Sequence, residues 1–334
     1  MSIHSILVLG SSNTDMIIKV DRIPKAGETI LGGEFASAAG GKGANQAVGA
    51  ARAGGSVTFI ARVGQDMFGE KAVAGFTAEG INVDYIIRDR TSPSGVALIF
   101  VGHEGQNSIA VASGANSKLG PADVKRAIGA FRDASVLLLQ LETPLKTVLA
   151  AAEIAKAAGV KVILNPAPAQ PLSARLLSHV DVLTPNESEA ELLTGVAVKS
   201  EKDAAKASEK LLSSGVRSVI VTMGSQGAFV ASKNLRQLIP GYKVKAVDTT
   251  AAGDVFNGSL AVALAEGKSL LDAARFANAA AALSVTHMGA QTSAPTRKEI
   301  EKLLATGKIR RPAITSNIFE RNGDSPHFDF TNKT

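Results

Sequence analysis

The sequence predicts an α/β fold: a doubly wound, mostly parallel sheet with helices on both faces, plus a small β-sheet lid. Three observations predict it. Short apolar runs alternate with Ala-rich helical runs through the second half of the chain, the pattern of βαβ units whose strands are buried on both faces. Glycines stand at the turns where strands hand over to helices. Three further strand-like runs, at 16–20, 96–101 and 108–112, fall outside that alternation. A few strands apart from a doubly wound core make a second sheet, well placed to cover a site at the strand ends.

Taken in order, residues 6–9 read as a buried strand ending at Gly10, and 16–20 as a second strand before a turn-rich stretch with Pro24, Gly27, Gly32 and Gly33. Gly40-Gly41-Lys42-Gly43 opens a helix whose Ala44, Ala47, Val48 and Ala51 recur at helical spacing, closed by Gly54-Gly55. A strand at 57–63 and a helix at 67–79 follow, then the 96–101 and 108–112 strands around His103-Glu104-Gly105, as a hairpin. Strands are expected at 136–140, 160–164, 180–183, 218–222 and 242–247. Helices are expected at 145–158, 186–193, 201–214, 252–265, 270–286 and 295–304, the last with Pro near its start. After Gly307 no period remains, and 308–334 reads as an irregular C-terminal tail.

Composition narrows the function. The chain has no cysteine, which excludes disulfides, a thiol nucleophile and Cys-ligated metal, and suits a reducing compartment. There is no Trp and there are two Tyr, a poor supply of stacking platforms for single-stranded nucleic acid. The net charge of +6 is diffuse: it favours anionic ligands such as nucleotides but forms no basic stripe for nucleic acid. No 18-residue apolar run implies a membrane span, and the first ten residues lack the features of a secretory signal. A cytoplasmic location is expected. The phosphate loop G-x-x-x-x-G-K-[ST], the dinucleotide fingerprint, the H-E-x-x-H zinc helix and the G-x-S-x-G elbow are all missing.

The strongest chemical signal is Asp248-Thr249-Thr250-Ala251-Ala252-Gly253-Asp254, at the start of the helix 252–265. Small residues at a helix start leave amides bare, and the helix dipole adds to them, making a pocket for a phosphoryl group in transfer. Asp254, beside it, could take a proton from a substrate hydroxyl; alternatively it only complements the dipole. Gly40 to Asn45 offers amides, a cation and an amide side chain to a polyol, or is a flexible turn with Asn45 near a cap. Asn13-Thr14-Asp15, and Glu142 after the 136–140 strand, lie at carboxyl ends of strands, where ligands bind. An Asx turn is the other reading of the first.

Thr184 and Glu187 read as a capping box with Pro185 at the first helical position. That leaves Asn186 and Glu189 on one helical face, able to hold hydrated magnesium and a phosphate. Gly224-Ser225-Gln226-Gly227 is either a place where nucleotide phosphates meet backbone or a hairpin turn.

Together, Gly40-Gly41-Lys42-Gly43-Ala44-Asn45, Asn165-Pro166-Ala167-Pro168, Asn186 with Glu189, and Asp248-Thr249 through Gly253-Asp254 resemble the ribokinase-like carbohydrate kinases. Order and spacing match over roughly 3–306, so 1–307 reads as one catalytic domain with lid strands near 14–37 and 94–114. The resemblance implies ATP-dependent phosphorylation of D-ribose at its 5-hydroxyl, with Asp254 as base and Ala251, Ala252 and Gly253 as anion hole. It implies a sugar site of Asn13, Asp15, Gly41, Lys42, Asn45 and Glu142. It implies an ATP site of Asn186, Thr222, Gly224, Ser225, Gly227, Gly253 and Asn278, with Glu189 placing Mg2+ through water. A monovalent cation, usually K+, would lie near Asp248, Thr250, Ser284, His287, Gly289 and Ser293, several acting through carbonyls. The family's lid also pairs two subunits, so a homodimer is expected.

The family's anion hole often reads Gly-Ala-Gly-Asp; here it begins with Ala251, an expectation of negative φ at that residue. Lys42 after the double glycine disfavours fructose and nucleoside kinases. Asn13 favours ribose over 2-deoxyribose, because an amide there can satisfy a 2-hydroxyl. A non-catalytic sugar-binding regulator is the alternative of another class, and Asp254 argues against it.

Overall fold

A computed structural model describes residues 5–103 and 106–307; the expected tail at 308–334 lies outside the described residues. The first half runs β1 (Ser5–Leu9), β2 (Asn13–Lys19), β3 (Glu34–Gly40), α1 (Lys42–Arg52), β4 (Ser56–Gly64), α2 (Met67–Ala78), β5 (Ile86–Asp89), β6 (Gly95–Val101) and β7 (Asn107–Ala112). Two short helices, α3 (Pro121–Arg126) and α4 (Ile128–Asp133), lead into β8 (Ala134–Leu139), α5 (Leu145–Ala157), β9 (Lys161–Leu164), α6 (Ala174–Leu177) and β10 (Val182–Leu183). Then come α7 (Glu187–Thr194), α8 (Glu201–Ser213), β11 (Ser218–Thr222), β12 (Gly227–Ser232), β13 (Leu235–Pro240), α9 (Ala252–Ala265), α10 (Leu270–Ser284) and α11 (Arg297–Thr306).

The main sheet has nine strands in the order β13-β12-β11-β10-β9-β8-β1-β4-β5. It is parallel from β11 to β5 and antiparallel at β11-β12-β13. Alternate residues feed two cores. Ile6 and Val8 face α1, α9, α10 and α11, whereas Leu7 and Leu9 face α3, α4, α5 and α8. All four are fully buried, worth about 1.5–3 kcal/mol each, and Leu7→Ala would cost about 2–5 kcal/mol. The strand order turns at β1, with β4 on one side and β8 on the other. Ligands bind at such a switch point, outside the strands' carboxyl ends.

The four-stranded second sheet, β3-β2-β6-β7, contains the three strands expected outside the alternation. It also contains β3, an Ala- and Gly-rich run with no strand signal of its own. Asn13 to Asp15 belong to β2 and form no turn after β1.

Three further expectations are corrected. No strand covers 242–247; the strand preceding α9 is β13, and Val247 and Asp248 instead donate their amides to Val285 O at 2.7 and 3.2 Å. The cap of α7 is Asn186, not Thr184: Asn186 accepts from Glu189 N at 2.8 Å, and Glu189 from Asn186 N at 2.9 Å. Thr184 is buried and spends its hydroxyl on Asn257 Oδ1 at 2.6 Å, so it cannot cap. Ala251 has φ 59°, the left-handed conformation, where a negative angle was expected; turning the chain from Thr250 into α9 takes this value at its N-cap.

Candidate active site

The site forms where β1, β8, α1 and α9 meet. α9 is buried on every side from Asp254 onward, so small residues decide how close its neighbours come. A Cβ on Gly258 would lie 2.6 Å from Gln46 O and 2.7 Å from Ala50 N. This close approach carries the first turn of α1 up to Asp254. Asn45 Nδ2 donates to Asp254 Oδ2 at 3.1 Å and Gln46 Nε2 to Asp254 Oδ1 at 3.0 Å.

Asp254 is 6% exposed. Burial raises its pKa above the ordinary aspartate value, against the pull of Lys42 and of the Gln46 and Asn45 hydrogen bonds. Beside it, the first i→i−4 bond of α9 is Val255 N to Ala251 O at 2.9 Å. The amides of Gly253 and Asp254 come before that bond, and Gly253 is exposed, with nothing within 4 Å of where a Cβ would sit. Bare donors at a positive helix end beside a basic carboxylate suit transfer of an anionic group to an alcohol.

The loops after β1 and β8 are tied together by Ser11 Oγ, which donates to Glu142 Oε2 at 2.5 Å; Lys42 N donates to the same oxygen at 2.9 Å. Asp15 reaches in from β2 and is held near Gly40, where a Cβ would stand 2.3 Å from its carboxylate oxygens. Burial, then Glu142 and Asp254, push its pKa up to about 6. Burial alone would lower the Lys42 ammonium, but Asp254, Glu142 and Glu189 outweigh it and hold the pKa above its usual value. Lys42 thus lies in the field of carboxylates from three separate parts of the chain. Asn45 Oδ1 is buried without a protein partner, and such an atom calls for a ligand donor. Gly41 caps α1 and is buried. A cleft of about 390 Å³ beside these groups is walled by Asn13, Asn116, Glu142 and Pro168, among others.

At the far end, Asn186 and Thr222 pair through a parallel bridge, and Thr222 N donates to Pro185 O at 2.9 Å. Gly224 and Ser225 are exposed in the 3-10 turn leading into β12 at Gly227; the run is a hairpin turn that also opens onto the strand ends. Asn278 Nδ2 donates to Pro240 O at 2.9 Å, tying α10 to the hairpin's end. Glu189 is buried, and burial raises its pKa although the Asn186 amide and Lys42 act against it.

The expected cation residues divide. Asp248 joins two loops, accepting from Thr250 N at 2.9 Å and Gly289 N at 2.8 Å. Ser284 Oγ donates to Ala281 O and Ser293 Oγ to Ala290 O, while His287 Nδ1 lies 3.3 Å from Leu283 O. Those three side chains make local bonds within their own turns. No group of three or more Asp, Glu or His poised as a metal site occurs among the described residues.

Sequence reasoning missed Ser11, Gln46, Asn116 and Gln140. Gln46 adjoins Asn45, and Gln140 closes an apolar strand run; an amide in either place is the signal that could have found them.

A deep carboxylate beside bare helix-terminal amides, at a doubly wound sheet's switch point, defines a phosphoryl-transferring kinase of small polyols. The chain belongs to the pfkB family of carbohydrate kinases, whose model matches residues 3–297. It is 49% identical over 300 residues to a ribokinase of Haemophilus influenzae, covering 90% of this chain and 98% of that one. It is 38% identical to a deoxyribokinase of Salmonella typhimurium, covering 90% and 98%. The structure of an Arabidopsis thaliana ribokinase complexed with ribose and ATP superposes with a TM-score of 0.83 at 36% identity, covering 91% of this chain and 99% of that one.

Proposed function

We propose that this protein is a ribokinase, transferring the γ-phosphoryl group of ATP to the 5-hydroxyl of D-ribose to give D-ribose 5-phosphate and ADP. One observation carries the reading: Asp254 is buried, pinned by Asn45 and Gln46, and set at the opening of α9 beside the unbonded Gly253 amide. Its carboxylate takes the hydroxyl proton as the new P–O bond forms in line. The amides of Ala251 and Gly253 receive the charge on the transferring group, joined by that of Ala252 when it leaves Thr249 O, 3.3 Å away. Asn13, Asp15, Gly41, Lys42, Asn45 and Glu142 bind the sugar. Asn186, Thr222, Gly224, Ser225, Gly227, Gly253 and Asn278 line the nucleotide site. The second sheet covers the sugar and excludes water.

Mg2+ fits here: Glu189 Oε2 is engaged by the Asn186 amide, its second oxygen is available to a metal-bound water, and a metal carried on phosphates needs few protein ligands. Bound Mg2+ neutralises phosphate charge. K+ would be held by the Asp248 carboxylate, which ties the Thr250 and Gly289 loops together, and by the carbonyls of Thr250, Ser284, His287, Gly289 and Ser293. Bound K+ adds positive charge beside the anion hole.

A homodimer through the second sheet is part of the proposal. Opposite the face carrying Asn13 and Asp15, strand register aligns Met16, Ile18, Phe35, Leu98 and Phe100 on one surface. Phe35 is 61% and Leu98 49% exposed, and an apolar patch of this kind marks an interface. Residues 1–307 form the catalytic domain in this reading. No described helix is long and apolar enough to cross a membrane; an enzyme using ATP works where ATP is held, and the cytoplasm is the proposed location.

The rival substrate is 2-deoxyribose, since two relatives carry the name deoxyribokinase; Asn13 favours ribose. An ADP-release assay with Mg2+, K+ and a panel of pentoses and hexoses tests the reading. Ribose should give the highest kcat/KM. Turnover on no sugar would point to a non-catalytic binder, and higher kcat/KM on deoxyribose would reassign the substrate.

A further inference from the structure

A chain of buried side-chain amides ends on Asp254. Asn165 Nδ2 donates to the Thr184 carbonyl at 3.1 Å. Asn165 Oδ1 accepts from Gln46 Nε2 at 3.1 Å, and the same Nε2 donates to Asp254 Oδ1 at 3.0 Å. Gln46 Oε1 accepts from Gln140 Nε2 at 2.6 Å. Gln46 and Gln140 are at most 1% exposed and Asn165 is 7% exposed.

The direction of this chain is dictated from one end. A backbone carbonyl only accepts, so Asn165 must turn its NH2 to Thr184 and its oxygen to Gln46. Gln46 must then present its own NH2, with one hydrogen for Asn165 and one for Asp254. Gln140 meets the oxygen left on the other side. A reversed Gln46 would set carbonyl oxygen against both Asp254 and Asn165, and NH2 against the Gln140 donor. In a buried site each mismatch costs about 1–3 kcal/mol, so one orientation is held.

We propose that Gln46 is a positioning residue: backed by Gln140 and Asn165, it locks one oxygen of the Asp254 carboxylate while Asn45 holds the other, fixing the base against rotation. The inference rests on the base role proposed for Asp254. It gives a task to Asn165, which opens the Asn165-Pro166-Ala167-Pro168 run. The charged groups facing Asp254 are Lys42 on α1, Glu142 after β8, Asp15 on β2 and Glu189 on α7. None of these four side chains is hydrogen-bonded to the Gln46 side chain, whose partners are Asn165, Asp254 and Gln140.

The test is Gln46→Met, close in shape and unable to donate. We expect kcat to fall about 10- to 100-fold with KM for ribose within about twofold. The acid limb of the kcat–pH profile should move upward by about one unit, because the carboxylate loses a donor that favours its charged form. Gln140→Met, which leaves Gln46 Oε1 without its donor and loosens the side chain, should lower kcat about 3- to 10-fold and move the limb the same way. It carries the test alone should Gln46→Met fail to fold. Wild-type kcat and limb overturn the proposal, and so does lost kcat with an unmoved limb. Asp254→Asn, run in parallel, separates the two ideas: retained turnover there sinks the base role itself. Lost turnover there with an unaffected Gln46→Met sinks only the positioning role.

Discussion

Asn116 Nδ2 donates to Asn13 Oδ1 at 2.7 Å, while its own oxygen accepts from Ser12 N at 2.9 Å and its NH2 also reaches Ser12 O at 3.1 Å. Asn116 therefore grips the chain around Asn13 and occupies the Asn13 oxygen, leaving the Asn13 NH2 free to meet a sugar hydroxyl. A site that has such a donor rejects an analogue without the hydroxyl, because the donor is left unpaired. Asn13→Met should lower the ratio of kcat/KM for ribose over deoxyribose by about tenfold or more. Equal ratios in wild type and variant would remove Asn13 from the specificity argument.

The Asp254 carboxylate must be ionised to accept a proton, and burial lifts its pKa above the usual aspartate value. Activity should therefore fall on the acid side at a pH above the ordinary aspartate range. Asp254→Asn should cut kcat by about 10²–10⁴ while leaving KM for ribose within a few fold. Steady-state kinetics across pH checks both; a variant keeping a tenth of wild-type turnover rules out the assignment.

Asp15 is held at a pKa of about 6 by burial and by its neighbours Glu142 and Asp254. A carboxyl with a raised folded-state pKa binds its proton more tightly when folded. Its contribution to stability is complete below the unfolded pKa and is lost as pH rises through about 6. Asp15→Asn should therefore stabilise the ligand-free protein above that pH, by up to about 2–3 kcal/mol, and change little near pH 4. Sugar affinity should fall at the same time. Denaturant midpoints at pH 4 and pH 8 decide this; a gain of the same size at both would mean that charge is not the cause.

Ala251 is the one non-glycine residue with positive φ among the described residues, a conformation costing about 1–2 kcal/mol for an L-residue. Ala251→Gly should stabilise the protein by about 1 kcal/mol, read as a raised Tm. A lower Tm would show that the turn into α9 holds no strain.

Charge on the outer face of the second sheet should separate subunits. Leu98→Asp, at a position 49% exposed, should convert dimer to monomer in sedimentation analysis. An unchanged mass at both low and high concentration would place any interface elsewhere.

The strands of the main sheet were legible wherever a run was apolar on both faces, as at Ile6 to Leu9 or Val219 to Val221. Burial on both sides leaves little choice of residue. β3 carried no signal of its own, because Ala36, Ser37, Ala38 and Ala39 show no alternation; only the family resemblance, with lid strands near 14–37, reached it, and it pairs with β2. The 242–247 run has strand-like composition, yet β13 already forms the sheet's edge, and the segment runs on to Val285 instead. The Thr184 capping box satisfied the spacing rule but failed because α9 supplied Asn257 as a nearer partner for the hydroxyl.

Local order along the chain was enough to establish the doubly wound class and to mark the polar residues after β1, the glycine-rich start of α1 and the small residues before Asp254 as candidates. Those features depend on neighbours a few residues apart. Which buried amide faces which was settled only in three dimensions. Gln46, Gln140, Asn165 and Asn116 meet partners up to 208 positions away, and a buried donor or acceptor must be matched by whatever the fold brings within about 3 Å.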